Sequence, residues 1–208
     1  MAERRTVISL CDKTGAMVRP WAEAGYSCLC LDIQHSIRKE KIVDGIVFRW
    51  ADVRALTPAD LPDPLIIFAF PPCTHLAGSG ARDWRPKGLR LLIDALEVVD
   101  ACWRLCRWYG VPWMLENSVG RLSQVLGPPR DTFQPWQFGD NEQKRTCLWH
   151  GSGFIMPAPS VLSRPDDVRQ ACFSMPPSSH RADDRSRTPL GFARAVAASN
   201  MLFGVTDG

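Results

Sequence analysis

A chain of 208 residues, 45% hydrophobic and 23% charged, has apolar material for one sizeable core and not for two complete domains. No run approaches the ~18 apolar residues of a membrane span, and Met1-Ala2-Glu3-Arg4-Arg5 lacks the apolar stretch of a secretory signal, so a cytoplasmic protein is expected. The eight cysteines include no C-x-x-C pair that would announce zinc or a redox dithiol, and a net charge of +3 gives the whole chain little pull on nucleic acid.

Thr6 to Leu10 reads as a first buried strand. After a turn from Asp12 to Gly15, a short helix carries Met17, Val18 and Trp21 to a stop at Gly25. Cys28 to Asp32 is a second strand ending in an acid, and Ile46 to Phe48 a weaker third ending near Asp52. Leu65 to Phe70 is a fourth, closed by Pro71-Pro72-Cys73, because proline offers no donor to a strand ladder. From Leu89 to Tyr109, Leu92, Leu96, Val99, Trp103 and Cys106 recur at helical spacing with charged residues largely opposite, which predicts a long helix over a sheet.

Val111 to Glu116 is a fifth strand, again ending in an acid, and a brief helix around Leu122 to Leu126 stops at Gly127. Arg145 to Trp149 reads as a later strand. Residues 151–187 lose apolar periodicity and become rich in Pro, Ser, Asp and Arg, a loop-rich insert with little core of its own. Pro189 then opens a last helix carrying Phe192, Val196, Ser199 and Leu202. The order predicts an α/β fold with a mostly parallel sheet and helices on both faces, organised as a core over 1–150, the insert over 151–187 and a returning helix over 188–208.

In such sheets, ligands lie outside the carboxyl ends of the strands. Cys73, held by prolines at one such end, is a candidate nucleophile or a plain buried thiol. Asp32 can accept bonds from ribose hydroxyls or serve as an ordinary turn acid. The turn before Gly15 has no G-x-G-x-x-G series, so a cofactor without phosphates fits better than a dinucleotide. Arg82, Arg85, Lys87 and Arg90, and further on Arg181, Arg185 and Arg187, either grip phosphates locally or are solvated loop charges. Trp84 lies beside the thiol loop, within reach of a substrate.

The stretch Pro72-Cys73-Thr74-His75-Leu76-Ala77-Gly78-Ser79-Gly80 resembles the nucleophile motif of the C5-cytosine DNA methyltransferases. Leu115-Glu116-Asn117-Ser118-Val119 is similar to that family's Glu-Asn-Val motif, Gln143-Lys144-Arg145 to the start of its Gln-x-Arg-x-Arg motif, and Thr188 to Asn200 to its C-terminal helix. Ser9 to Ile33 has the element order of its cofactor-binding half. The resemblance implies a Rossmann-like S-adenosylmethionine-dependent methyltransferase fold, with S-adenosyl-L-methionine as cofactor.

It also implies roles. Cytosine C5 is a poor nucleophile until the Cys73 thiolate adds at C6, after which C5 can attack a sulfonium methyl group. Glu116 would hold N3, Arg145 the O2 edge, and Asn117 would brace the Glu116 loop. Asp12, Thr14 and Gly15 fall at the methionine end of the cofactor, Asp32 and Ile33 at the ribose, Asp52 and Val53 near adenine, with Pro72 alongside. Ser79, Gly80, Arg82, Asn117 and Gln143 fall on the substrate side. The chain departs from the pattern where Thr74 replaces a Gln, Cys147 replaces the second Arg, and Cys11 to Gly15 replaces Phe-x-Gly-x-Gly.

The insert is too short for an independent recognition domain, so readout of DNA sequence is expected to be short or absent. The partner is then DNA, whose base must be swung out at a cost of a few kcal/mol, or a free cytosine nucleotide such as dCMP. A non-catalytic binding module on the same fold is a third expectation. Other cysteine chemistries fit poorly: Leu76 stands where a zinc deaminase needs its second Cys, and Ser79 where a Cys-x5-Arg phosphatase needs Arg.

Overall fold

The alternation of short apolar runs with helical stretches builds one eight-stranded sheet in the computed structural model, which describes residues 5–169 and 187–201. The strands are β1 (Thr6–Leu10), β2 (Ser27–Asp32), β3 (Lys41–Val43), β4 (Ile46–Trp50), β5 (Pro64–Ala69), β6 (Trp113–Ser118), β7 (Asp131–Phe133) and β8 (Thr146–Gly151). They stand in the order β3-β4-β2-β1-β5-β6-β8-β7. Neighbours from β4 through β6 are parallel, whereas β3 on β4, and β8 on both β6 and β7, are antiparallel. The fold is α/β and Rossmann-like. Strand order reverses between β1 and β5, which creates a switch-point crevice at their carboxyl ends.

Helices cover both faces, as the sequence predicts. On one side α1 (Arg19–Glu23) and α4 (Leu190–Asn200) bury Trp21, Phe192 and Val196 against Val7, Ile66, Phe68 and Met114. On the other, α2 (Trp84–Trp108) buries Val99, Cys102, Leu105 and Cys106 against Ile8, Leu10, Ile67 and Leu115. Covered on both faces, β5 is buried throughout, which explains its unbroken apolar run. The helical trace of α2 is broken at Gly88 (φ 75°), so its long segment starts at Leu89. Cys28, Cys30, Cys102, Cys106 and Cys147 are buried as small core residues. A short helix, α3 (Leu122–Val125), follows β6.

Three strand features differ from expectation. β3 forms an antiparallel hairpin with β4 around Asp44 (φ 50°) and Gly45 (φ 78°), a dipeptide suited to the left-handed turn that tight hairpins need. β7 is three residues long, too short for periodicity to register. β6 does not end at Glu116 but runs on to Ser118, because β8 pairs with it from Trp113↔Gly151 to Ser118↔Thr146. Glu116 is therefore a strand residue.

Residues 152–169 of the insert form no helix or strand, although Phe154 joins the core. Asn200 on α4 holds the Ile155 backbone through both its amide and its carbonyl (2.9 Å each). Arg181, Arg185 and Leu202 lie outside the described residues, as does the rest of the insert up to residue 186. Among the described residues no helix is long and apolar enough to cross a membrane.

Phe192 fastens α4 to the sheet. It stacks on Phe133 with ring centroids 3.8 Å apart and meets Phe138 edge-on at 5.2 Å. Replacing it by Ala empties a fully buried aromatic site, so Phe192→Ala is expected to cost about 3–5 kcal/mol, read as a lowered urea midpoint at an unchanged denaturant slope.

Candidate functional site

The parallel strands all deliver their carboxyl ends to one edge of the sheet, and β8, running the other way, begins there. The Cys73 loop leaves β5 at that edge. Phe70 donates to the Leu10 carbonyl (2.9 Å), Pro71 is buried, and the amides of Leu76 and Ala77 turn back onto the Cys73 carbonyl (2.9 and 2.8 Å). Leu76 is fully buried and anchors the loop, while Cys73 stays half-buried.

This loop is laced to the segment leaving β6. The Asn117 side-chain amide donates to the Pro71 carbonyl (2.9 Å), Gly78 to the Val119 carbonyl (2.8 Å) and Arg121 to the Leu76 carbonyl (2.9 Å). Ala77 and Gly120 form an antiparallel bridge at the centre. A Cβ at Gly120 would overlap the Leu76 carbonyl oxygen, so only glycine allows so close an approach. β5 and β6 pair up to Ala69↔Leu115, so Cys73 follows the end of β5 while Glu116, the next residue of β6, is still held in the sheet by β8.

Glu116 is perturbed. Burial pushes its carboxyl up, and the charge of Lys144 pulls in the opposite direction. Arg145 is exposed, and its charge acts instead on Cys147, whose thiol burial pushes up. Lys144, half-buried just ahead of β8, is thus a residue that motif reading passed over, since it occupies the unspecified position between Gln143 and Arg145. Gln143 is tied to the insert through its backbone amide, which donates to the Arg169 carbonyl (2.8 Å).

On the other side of the switch point, acids crown β1, β2 and β4. Asp12 is buried and organises its own turn: one carboxylate oxygen accepts from the amides of Thr14 (2.9 Å) and Gly15 (2.7 Å), the other from the Ser9 hydroxyl (2.8 Å). Gly15 (φ 66°) lies beneath the Phe48 ring, where a Cβ would press on the ring edge. His35 donates to the Asp12 carbonyl (3.1 Å) and meets Phe48 edge-on. Asp32 is buried and accepts from the Gln34 amide (2.7 Å); burial pushes its carboxyl up more than this bond lowers it. Ile33 beside it is exposed.

Asp52 caps a 3-10 turn over Val53–Ala55 and is gripped by the Arg54 guanidinium (2.6 to 3.1 Å), which holds it below the usual carboxylate range. The sulfur of Cys11 (φ 55°) lies 3.8 Å from that of Cys102. The Cys102 contact, then burial, then the charges of Asp32 and Asp52 push its thiol up.

Ser79, Gly80 and Arg82 lie in an outlying 3-10 segment, Gly78–Asp83, with Arg82 almost fully exposed and paired with Asp83 (3.6 Å). The next residue, Trp84, is not free for a substrate: the Arg121 guanidinium sits 3.7 Å over its ring. Asp12, Thr14, Gly15, Asp32, Ile33, Asp52 and Val53 therefore gather on one side of the crevice, and Pro72, Cys73, Glu116 and Asn117 on the other.

No family model and no curated protein matches the chain. Among solved structures it is similar to the antibiotic-resistance methyltransferase Kmr in two crystal structures. One shares 18% identity over 53% of this chain and 57% of that one (TM-score 0.31), the other 15% over 71% and 87% (TM-score 0.38). It is also similar to a mutant of Spodoptera frugiperda DNMT2, with 17% identity over 78% of this chain and 53% of that one (TM-score 0.36). The chain spans less than two thirds of the first Kmr structure and of the Spodoptera protein.

Two outcomes follow from the geometry. Because burial lifts the Glu116 carboxyl, the folded state holds its proton more tightly than the unfolded chain, and stability is lost as pH rises from the unfolded value through the folded one. Glu116→Gln cannot ionise, so it is expected to melt above the wild type at about pH 8 and to lose that advantage below about pH 4; a lower melting point at pH 8 would mean the carboxylate is a net stabiliser. Gly120→Ala, which must push the Cys73 loop away from β6, is expected to cost about 1–3 kcal/mol, seen as a melting point lowered by several degrees.

Proposed function

We propose that this protein is an S-adenosylmethionine-dependent methyltransferase that modifies C5 of cytosine in DNA, with low or short sequence specificity. The observation that carries this reading is the lacing of the Cys73 loop to the segment leaving β6, which ties a half-buried thiol just beyond β5 to the neighbouring strand that bears the perturbed Glu116 carboxyl, beside a switch-point crevice.

The opposite wall fits the cofactor. Its donor set is carboxylates and turn amides without a glycine-rich pyrophosphate cradle, and the flat Phe48 ring closes over Gly15, which suits a cationic, phosphate-free nucleoside. Asp32 and Ile33 would hold the ribose, Asp52 and Val53 the adenine, and the Asp12–Gly15 turn the methionine end. When bound, S-adenosylmethionine supplies a methyl group on a sulfonium.

Cys73 adds as a thiolate to C6 of the ring, which makes C5 nucleophilic. Glu116, whose burial favours its protonated form, gives or shares a proton at N3 and so stabilises the charge that builds on the ring. Asn117 keeps the thiol loop and the carboxyl in register. Once C5 carries the methyl group, water takes the C5 proton, the electrons of that bond restore the C5–C6 double bond, and the sulfur leaves with the electrons of its bond to C6, which frees Cys73 as a thiolate. Arg82 and Arg85, both exposed beyond the thiol loop, are placed to meet phosphates.

A second acceptor, a free cytosine nucleotide such as dCMP, is favoured by one feature: the insert over 151–187 is too short to fold as an independent recognition domain. Both are tested together. Purified protein is expected to move tritiated methyl groups from S-adenosylmethionine to duplex or single-stranded DNA, and Cys73→Ala to abolish the transfer. Label entering dCMP alone would move the function to nucleotide modification, and tight ligand binding without label anywhere would make the protein a binding module.

A further inference from the structure

The turn that follows β1 is poor in glycine and strained. Cys11 holds φ 55°, a left-handed conformation that crowds a residue bearing a Cβ and persists only where its surroundings enforce it. Backbone bonds hold both flanks: the Phe70 amide donates to the Leu10 carbonyl (2.9 Å) and the Asp12 amide to the Leu31 carbonyl (3.3 Å). The Asp12 carboxylate gathers the amides of Thr14 and Gly15 (2.9 and 2.7 Å). Where a glycine-rich turn would need little support, this one is braced at every step.

The Asp12 carbonyl, on the peptide that leads into the turn, is braced from outside by His35, whose Nε2 lies 3.1 Å away. A carbonyl only accepts, so Nε2 carries the proton and donates. The same residue is tied to the next strand end, since its backbone amide donates to the Asp32 carbonyl (3.3 Å). Its half-buried ring also meets Phe48 edge-on, with centroids 5.3 Å apart, and Phe48 covers Gly15. One residue therefore touches the turn after β1, the end of β2 and the β4 ring that closes over the turn.

We propose that His35 is a positioning residue that keeps the Asp12–Gly15 turn in register with Asp32, so that the turn takes the amino-acid end of S-adenosylmethionine while Asp32 holds the ribose. The proposal rests on the cofactor reading above. Without the imidazole the Asp12 carbonyl loses its partner and the strained turn can relax, whereas Asp32 keeps its bond from the Gln34 amide (2.7 Å). Loss of His35 thus falls on the amino-acid end of the ligand and spares the nucleoside end.

The test titrates the wild type, His35→Ala and His35→Gln with S-adenosylmethionine and with 5′-deoxy-5′-methylthioadenosine, which keeps the nucleoside and lacks the amino-acid end, after melting points have shown that each protein folds. His35→Phe, which keeps a ring beside Phe48 and has no donor, replaces His35→Ala if the latter does not fold. His35→Ala is expected to bind S-adenosylmethionine about tenfold more weakly, as when one hydrogen bond and the order it imposes are lost. Methylthioadenosine should change by less than about twofold, and His35→Gln, whose amide N–H can replace Nε2–H, should stay within about threefold of the wild type on both ligands. A readout without ligand is amide hydrogen exchange: Thr14 and Gly15 should exchange about tenfold faster in His35→Ala, with Gln34 unchanged. Equal loss on both ligands, no loss on either, or unchanged exchange at Thr14 and Gly15 overturns the positioning role and leaves the cofactor reading intact. A wild type that binds neither ligand overturns that reading and this role with it.

Discussion

Three backbone and side-chain hydrogen bonds across a glycine hold the site together. Asn117 to Pro71, Gly78 to Val119 and Arg121 to Leu76 close around the Ala77 and Gly120 bridge, so two loops that leave different strands behave as one rigid lip. Each bond alone contributes on the order of 1 kcal/mol. Together they remove the freedom of a loop that would otherwise carry its thiol anywhere over the sheet edge. In the proposed reaction, positioning of this kind would let the thiol and the carboxyl act on one ring.

The crevice has an electrostatic division of labour. Its β1, β2 and β4 side is lined by carboxylates, of which Asp12 is engaged in its own turn, Asp52 is clasped by Arg54, and Asp32 is kept dry at the end of its strand. The β5, β6 and β8 side carries the thiol, the half-buried Glu116 carboxyl and the two cations of the β8 approach. On the proposed reading, a positively charged donor group would be drawn toward the first side and a ring gathering negative charge toward the second.

Much of the fold was legible from local pattern. β1, β2 and β5 are apolar runs bounded by turn residues or prolines, and the long segment of α2 shows its helical period from Leu89 onward. β3 went unread although Asp44-Gly45 is a strong hairpin dipeptide, because Lys41, Ile42 and Val43 form an edge with little apolar signal. β7 is equally short, and it exists because β8 offers it a partner. The end of β6 was misplaced for the same reason: Asn117 and Ser118 are extended only through pairing with Cys147 and Thr146.

Sequence alone determined that a proline-held thiol follows a buried strand, that acids follow others, and that helices must cover both sides of the sheet, because these depend on neighbours a few residues apart. Only the tertiary structure decided which of those strand ends meet, that Glu116 sits within a strand rather than at its tip, and that Arg121 covers Trp84. Those facts depend on register between segments far apart in the chain. A shift of one residue in register would exchange every side chain between faces, and nothing in a local pattern records that choice.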